Sequence, residues 1–115
     1  MVLVKQLTVI LAFAASVLGC ASKPPTMYYW GGYQGQVYEY LKGDGTSHDV
    51  DALEADIEKA RAEGKPLPPG YRAHLGLLYG NAGRVDDMKQ QLELERASFP
   101  ESATFMDFIL TNFNK

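Results

Sequence analysis

The chain has 115 residues, 46% of them hydrophobic and 22% charged, which is typical of one small globular domain. Its net charge of -3 leaves no basic surface for nucleic acid, so we expect no nucleic-acid partner. A single cysteine excludes an internal disulfide, and one cysteine with two histidines argues against a structural zinc site.

Residues 1–19 have the three parts of a secretory signal peptide. Lys5 supplies the positive charge, and an apolar run follows at residues 7–18. Small Gly19 then precedes Cys20. The run is shorter than the ~20 residues that cross a bilayer, which favours a cleavable signal over an uncleaved membrane anchor.

The end of this segment resembles the lipobox of bacterial lipoproteins, usually Leu, a small or aliphatic residue, Gly or Ala, then Cys. The corresponding residues here are Val17, Leu18, Gly19 and Cys20. The resemblance implies cleavage between Gly19 and Cys20, a covalent lipid on Cys20 and no other cofactor. Several acyl chains anchor a protein firmly in a membrane. Because Ala21 follows, where aspartate would favour inner-membrane retention, we expect an outer-membrane anchor facing the periplasm.

A free, buried cysteine is the alternative interpretation of Cys20. The position of this sole cysteine, directly after the apolar run, favours lipidation instead.

Residues 20–31 are predicted to be the acylated cysteine and a tether, polar and proline-bearing in its first half. The tether ends in three aromatic residues, Tyr28, Tyr29 and Trp30. Two interpretations are open for them. They cover the hydrophobic core of the helices that follow, or they contact the membrane interface or a partner lipoprotein near the acylated end.

Residues 32–115 are predicted to form an all-α domain of about five short helices. Four are expected at residues 32–42, 49–63, 70–82 and 101–112, and another begins near Asp86 and ends before Pro100. We expect Ser47 or Asp49 to cap the helix at residues 49–63, and Asp86 to cap the helix that begins there. Prolines at residues 66–69 make a stiff link before the third helix.

Apolar residues recur at helical spacing along each predicted helix. The residues expected to face inward on the first four helices are Tyr33, Val37, Tyr40, Leu41, Val50, Leu53, Ile57, Ala60, Tyr71, Leu75, Leu78, Tyr79, Ala82, Met88, Leu92 and Phe99. The last helix carries the most apolar surface, formed by Phe105, Met106, Ile109, Leu110 and Phe113. Acidic residues, including Asp56 and Glu95, are assigned to solvated faces.

Residues 69–102 resemble one tetratricopeptide repeat. Five positions match that repeat in residue type and spacing: Leu75, Gly76, Tyr79, Gly83 and Pro100. Four positions depart from it: Arg72, Met88, Leu92 and Glu95. The resemblance implies tetratricopeptide-like antiparallel hairpins. About three repeats are usually needed for stability, so this unit is either a minimal capped version or is completed by a partner.

Residues 66–88 and 97–110 are also similar to a narrower family of small proteobacterial lipoproteins, classed as domain of unknown function 4810. The shared pattern is a proline-rich link, an Ala-His-Leu-Gly helix, a glycine turn and a Phe-Pro-Glu-Ser-x-x-Phe-Met segment. The resemblance implies an envelope complex with other lipoproteins, including a curli-assembly-like lipoprotein. It implies no biochemical activity.

No nucleotide loop, metalloprotease motif or nucleophile elbow is present in the sequence, so we expect neither an enzyme nor a small-molecule substrate. His74, Leu77 and Asn81 fall on the face that lines the concave side of such a repeat. His74 and Asn81 can hydrogen-bond a peptide, and Leu77 can make an apolar contact. The alternative is that His74 and Asn81 satisfy nearby backbone or each other.

The sequence therefore predicts an outer-membrane-anchored lipoprotein that acts as a non-catalytic interaction module in an envelope complex. It is expected to contact the bacterial membrane through its acyl chains and other envelope lipoproteins through its helical domain. The alternative is a structural lipoprotein that self-associates through residues 105–113.

Overall fold

The computed structural model of the chain describes residues 1–15, 25–43 and 48–113. Within these ranges the fold is all helical, as predicted. The helices are α1 (Val2–Ala15), α2 (Tyr33–Leu41), α3 (His48–Ala62), α4 (Tyr71–Asn81), α5 (Val85–Ser98) and α6 (Ala103–Phe113). A 3-10 turn at Pro100–Ser102 joins α5 to α6.

Helix α1 coincides with the predicted signal peptide, and its residues 2–10 are all exposed. No helix in the described ranges is both long and apolar enough to cross a membrane. The predicted cleavage site at Gly19 and Cys20 lies outside the described residues.

The helices of the body lie within a few residues of their predicted positions. Of the predicted caps, Ser47 lies outside the described residues, and neither Asp49 nor Asp86 occupies an N-cap position. Asp49 lies inside α3, and Asp86 lies in the first turn of α5, whose N-cap residue is Arg84. Both carboxylates therefore act on the helix through its dipole, since negative charge is favourable in the first turn.

Helices α4 and α5 form an antiparallel pair, joined by the turn after Asn81. At the start of α4, Arg72 donates a hydrogen bond of 3.0 Å to Gln91 near the middle of α5. At the end of α4, Gly80 lies against Met88 near the start of α5. The order of contacts is reversed along the two helices, which is the arrangement expected for a helical hairpin.

Two glycines permit this hairpin. A methyl group added at Gly76 would lie 3.3 Å from the carbonyl oxygen of Met88 and 3.4 Å from side-chain atoms of Gln91 and Leu92. Gly76 therefore allows the backbones to approach closely. Gly83 has φ of 78°, a left-handed conformation that glycine adopts without strain, and it follows the end of α4.

The core is formed by α3 to α6, with α2 packed on its outside. Its buried residues are Val50, Leu53, Tyr71, Leu75, Leu78, Tyr79, Met88, Leu92, Met106 and Ile109. Tyr71 is fully buried, and its hydroxyl donates to the carbonyl oxygen of Leu53 at 2.8 Å, which ties α4 to α3. Tyr79 ties the same helices through a hydrogen bond to Glu54.

Two residues predicted to face inward, Leu41 and Ala82, are exposed instead. Leu41 is 77% exposed because α2 has no fully buried residue and lies at the edge of the body. Ala82 belongs to the exposed turn after α4. On α6, Met106 and Ile109 are buried, whereas Phe105 and Phe113 are 59% and 45% exposed. One side of α6 is enough to cover the core, so its other side stays apolar and open.

We expect Gly76→Ala to lower the free energy of unfolding by about 1–2 kcal/mol, because overpacking against backbone outweighs the gain in helix propensity. The matched control is Gly35→Ala in α2, where an added methyl group meets no atom within 4 Å. This control should raise stability by up to about 1 kcal/mol. Urea unfolding of the full chain in mild detergent measures both, and equal stabilisation by the two variants would contradict the close packing at Gly76.

Candidate functional site

On the predicted concave face of α4, helix α2 of the same chain covers His74. His74 is 8% exposed, and the rings of Tyr33 and Tyr40 contact it edge-on, with ring centroids 6.1 and 5.2 Å away. Asn81 is exposed and donates to the Tyr40 hydroxyl at 3.3 Å. Leu77 is half-buried against the core. These three residues lie on one face, and their role in binding a partner stays a prediction.

The aromatic residues before α2 are attached to the helical body. The Tyr28 ring meets the rings of Trp30 and Phe99 edge-on at 6.4 and 6.2 Å, and Trp30 stacks on Tyr33 at 6.4 Å. The backbone N–H of Tyr29 donates to the carbonyl oxygen of Pro66 at 2.9 Å. Tyr28 and Tyr29 are half-buried, and Trp30 is exposed. Packing against the helical body accounts for the partial burial of Tyr28 and Tyr29. A contact of these three residues with a membrane or a partner lipoprotein stays a prediction.

Two acidic residues assigned to solvated faces are buried. Asp56 on α3 accepts a hydrogen bond of 2.8 Å from the N–H of Gly32, the residue before α2, and contacts Lys59 at 3.3 Å. Glu95 on α5 is 2% exposed and accepts a hydrogen bond of 2.6 Å from the N–H of Gly70, the residue before α4. Each carboxylate thus caps the start of a helix from a different helix.

The sequence contains an indirect signal for these two residues. Gly32 and Gly70 are the N-cap residues of α2 and α4. The N–H of an N-cap residue has no acceptor within its own helix, so a carboxylate from elsewhere can accept from it. Glu95 also occupies a position where the tetratricopeptide pattern has a small residue. A large acidic residue at a packed position indicates a buried hydrogen bond.

A pocket of about 360 Å³ lies beside Glu95, between the proline-rich link, the start of α4 and the end of α5. Its lining residues are Tyr28, Pro66, Leu67, Pro68, Arg72, Glu95, Ser98 and Phe99. One carboxylate oxygen of Glu95, Oε2, is buried and has no hydrogen-bond partner among the described residues. The pocket therefore combines apolar and aromatic walls with one acidic and one basic side chain.

Burial shifts the ionisation of the groups around this pocket. It raises the pKa of Tyr33, and the negative charge of Glu95 adds to that rise. It lowers the pKa of the Arg72 guanidinium, and Glu95 opposes that change. Arg72 and Glu95 both line the pocket, so it contains one charged group of each sign.

No group of histidine, cysteine, aspartate and glutamate residues in the described ranges could hold a metal ion. The predicted lipidation site, Cys20, lies outside these ranges. The helical hairpin, its carboxylate caps and the pocket therefore make up what the structure shows of a site in this small all-α domain.

Residues 27–109, more than half of the chain, match the model of a family described as Domain of unknown function (DUF4810). The chain belongs to this family. No curated protein and no solved structure matches this chain.

Protonation of His74 should destabilise the fold. Burial lowers the pKa of His74 below its usual 6.5, with a smaller opposing effect from Asp49, and its Nε2 atom has no hydrogen-bond partner among the described residues. The folded chain therefore binds fewer protons than the unfolded chain once the pH falls below about 6.5. The contribution of neutral His74 to the free energy of unfolding is complete above that pH. It is lost as the pH falls towards the lower pKa that His74 has in the folded state.

Urea unfolding between about pH 7.5 and 5 tests this, because that range brackets the ordinary pKa of histidine. We expect His74→Gln to flatten the pH dependence of the free energy of unfolding relative to the wild type. Carboxylate titration contributes alike to both proteins. An unchanged slope in His74→Gln would show that His74 is not buried in its neutral form.

Proposed function

We propose that this chain is a lipid-anchored lipoprotein of the bacterial outer membrane whose α-helical domain is a non-catalytic interaction module in an envelope complex. The signal-like segment supports the anchoring. It combines Lys5, an apolar run and Cys20, and helix α1 coincides with the run and is exposed over residues 2–10. Lipidation of Cys20 would hold the helical domain at the membrane surface.

The observation that carries the interaction role is the outer face of α6. Phe105 and Phe108, three residues apart, are 59% and 63% exposed. The only charged side chain of α6, Asp107, pairs with Arg96 of α5 at 2.6 Å. An exposed apolar patch of this kind, on a small domain, is typical of a surface that another protein covers. We call Phe105 and Phe108 the α6 face.

The antiparallel order of α4 and α5 supports the tetratricopeptide-like interpretation of the hairpin. In proteins built from such repeats, the terminal helix either caps the stack or packs on a neighbour. The α6 face is suited to the second role. By the resemblance described above, the partner is another envelope lipoprotein, such as a curli-assembly-like one.

The same face favours a second candidate function, which is self-association as a structural envelope lipoprotein. Two copies that pack their α6 faces together would cover the same phenylalanine side chains. The mass of a crosslinked product distinguishes the two functions.

A photo-crosslinking amino acid at position 108 should yield a product with a partner of different mass when cells are irradiated. The matched control is the same amino acid at position 58, because the Glu58 side chain on α3 is 67% exposed and lies in a charged surface. A product of twice the mass of the chain would favour self-association instead. Crosslinks at position 108 no stronger than those at position 58 would contradict both functions.

Cys20→Ser should abolish labelling by a fatty-acid probe and release the chain from the membrane fraction, since the thiol is the proposed site of acylation. Ser22→Ala, two residues further along the chain, keeps the thiol and serves as the matched control. Labelling that persists in Cys20→Ser would rule out Cys20 as the acylated residue.

A further inference from the structure

The pocket beside Glu95 contains a buried acceptor that the described residues do not satisfy. Oε1 of Glu95 accepts from the Gly70 N–H, but Oε2 is buried without a partner. A buried carboxylate oxygen without a donor is costly, because it has lost its hydrogen bonds to water and gained none. The site is therefore complementary to a ligand that brings a hydrogen-bond donor, most favourably a cationic one.

The walls of the pocket suit a cation on an apolar stem. Tyr28 and Phe99 place two aromatic rings at its side, and ring faces attract ammonium groups. Leu67 and the neighbouring prolines add apolar surface. Methylene groups can pack along such walls while the charged end reaches the carboxylate, as lysine side chains do elsewhere.

Arg72 defines the second requirement of the ligand. One guanidinium nitrogen of Arg72 donates to Gln91 at 3.0 Å, and the remaining N–H groups have no hydrogen-bond partner among the described residues. Since Arg72 lines the same pocket, it offers donors to an acceptor on the ligand. A peptide provides both features, because a lysine side chain carries the ammonium group and the adjacent backbone carries carbonyl oxygens.

We propose that this pocket binds a lysine side chain from an extended segment of a partner protein. The ammonium group donates to Glu95 Oε2, the methylene stem lies along Tyr28 and Phe99, and a backbone carbonyl oxygen of the segment accepts from Arg72. This inference rests on the proposed function, since it names what the interaction module recognises.

A lysine side chain fits better than the other common source of primary ammonium at a membrane, an ethanolamine phospholipid. Glu95 is 2% exposed, so only a slender chain can reach it. Lysine has four methylene groups between its ammonium group and its backbone. Ethanolamine has only two carbons before a bulky phosphate, which would have to enter the pocket as well.

The test uses the full chain in mild detergent and the tripeptide acetyl-Ala-Lys-Ala-amide as the probe. The same peptide acetylated on the lysine side chain is the uncharged control. NMR titration should show saturable binding of the first peptide, with shifts at Tyr28 and Phe99, and loss of binding on acetylation. Glu95→Gln should weaken binding about tenfold or more, as expected when one charge-assisted hydrogen bond is lost. Glu93→Gln on the same helix, an exposed partner of Arg96, is the matched control and should bind like wild type.

Tyr28→Leu leaves Glu95 intact and tests the aromatic wall separately. It should weaken binding about two- to fivefold, the effect of losing one exposed cation–π contact. This variant keeps the proposal testable if Glu95→Gln, which changes a helix cap, does not fold.

Equal binding of the acetylated peptide, absence of binding, or tighter binding of phosphoethanolamine than of the lysine peptide would each overturn the proposal. None of these results bears on the crosslinks at position 108, which test the α6 face. Failure of the lysine pocket is therefore distinguishable from failure of the proposed function.

Discussion

The fold depends on two buried carboxylates that cap helices from outside them. Gly32 and Gly70 precede α2 and α4, and neither has a side chain that could accept a hydrogen bond from the first turn. Asp56 accepts from Gly32 at 2.8 Å, and Glu95 accepts from Gly70 at 2.6 Å. Negative charge near a helix N-terminus is favourable, and it is more so at buried positions, where solvent screens less. These two bonds fix α2 on α3 and the start of α4 on the end of α5.

The position of the pocket follows from the second of these bonds. Glu95 must lie within the packed end of α5 to reach Gly70, so its other oxygen is enclosed there too. Tyr28 and Tyr29 cover the same region, because the Tyr29 N–H bonds to the Pro66 carbonyl oxygen and the Tyr28 ring packs on Phe99. One side chain therefore serves the fold through Oε1 and leaves Oε2 for recognition. A surface carboxylate could not do this, because water would satisfy both oxygens.

The helices were predictable because their signals are local. Apolar spacing, prolines and a glycine such as Gly83 act over a few residues, and the structure agrees with them. The carboxylate caps were not, because Asp56 and Glu95 bond to N–H groups 24 and 25 residues away in the chain. A helical periodicity assigns a charged residue to the solvent side, and only tertiary packing reverses that assignment. His74 shows the same limit: its face on α4 was predictable, but its coverage by α2 depends on how the Gly32 cap fixes that helix.

The pocket and the α6 face are connected through the short segment that joins α5 to α6. Phe99 lines the pocket, and Phe105 opens the exposed face. Between them the 3-10 turn at Pro100–Ser102 is fixed by two hydrogen bonds from Ser102 to the Phe99 carbonyl oxygen, at 2.7 and 2.9 Å. The two surfaces differ in what they can contribute. An apolar face adds buried area with little direction, whereas a buried carboxylate selects one charge at one position. A partner that covers both surfaces would gain affinity from the apolar contact with α6. Its position along the chain would be fixed by the charge that meets Glu95.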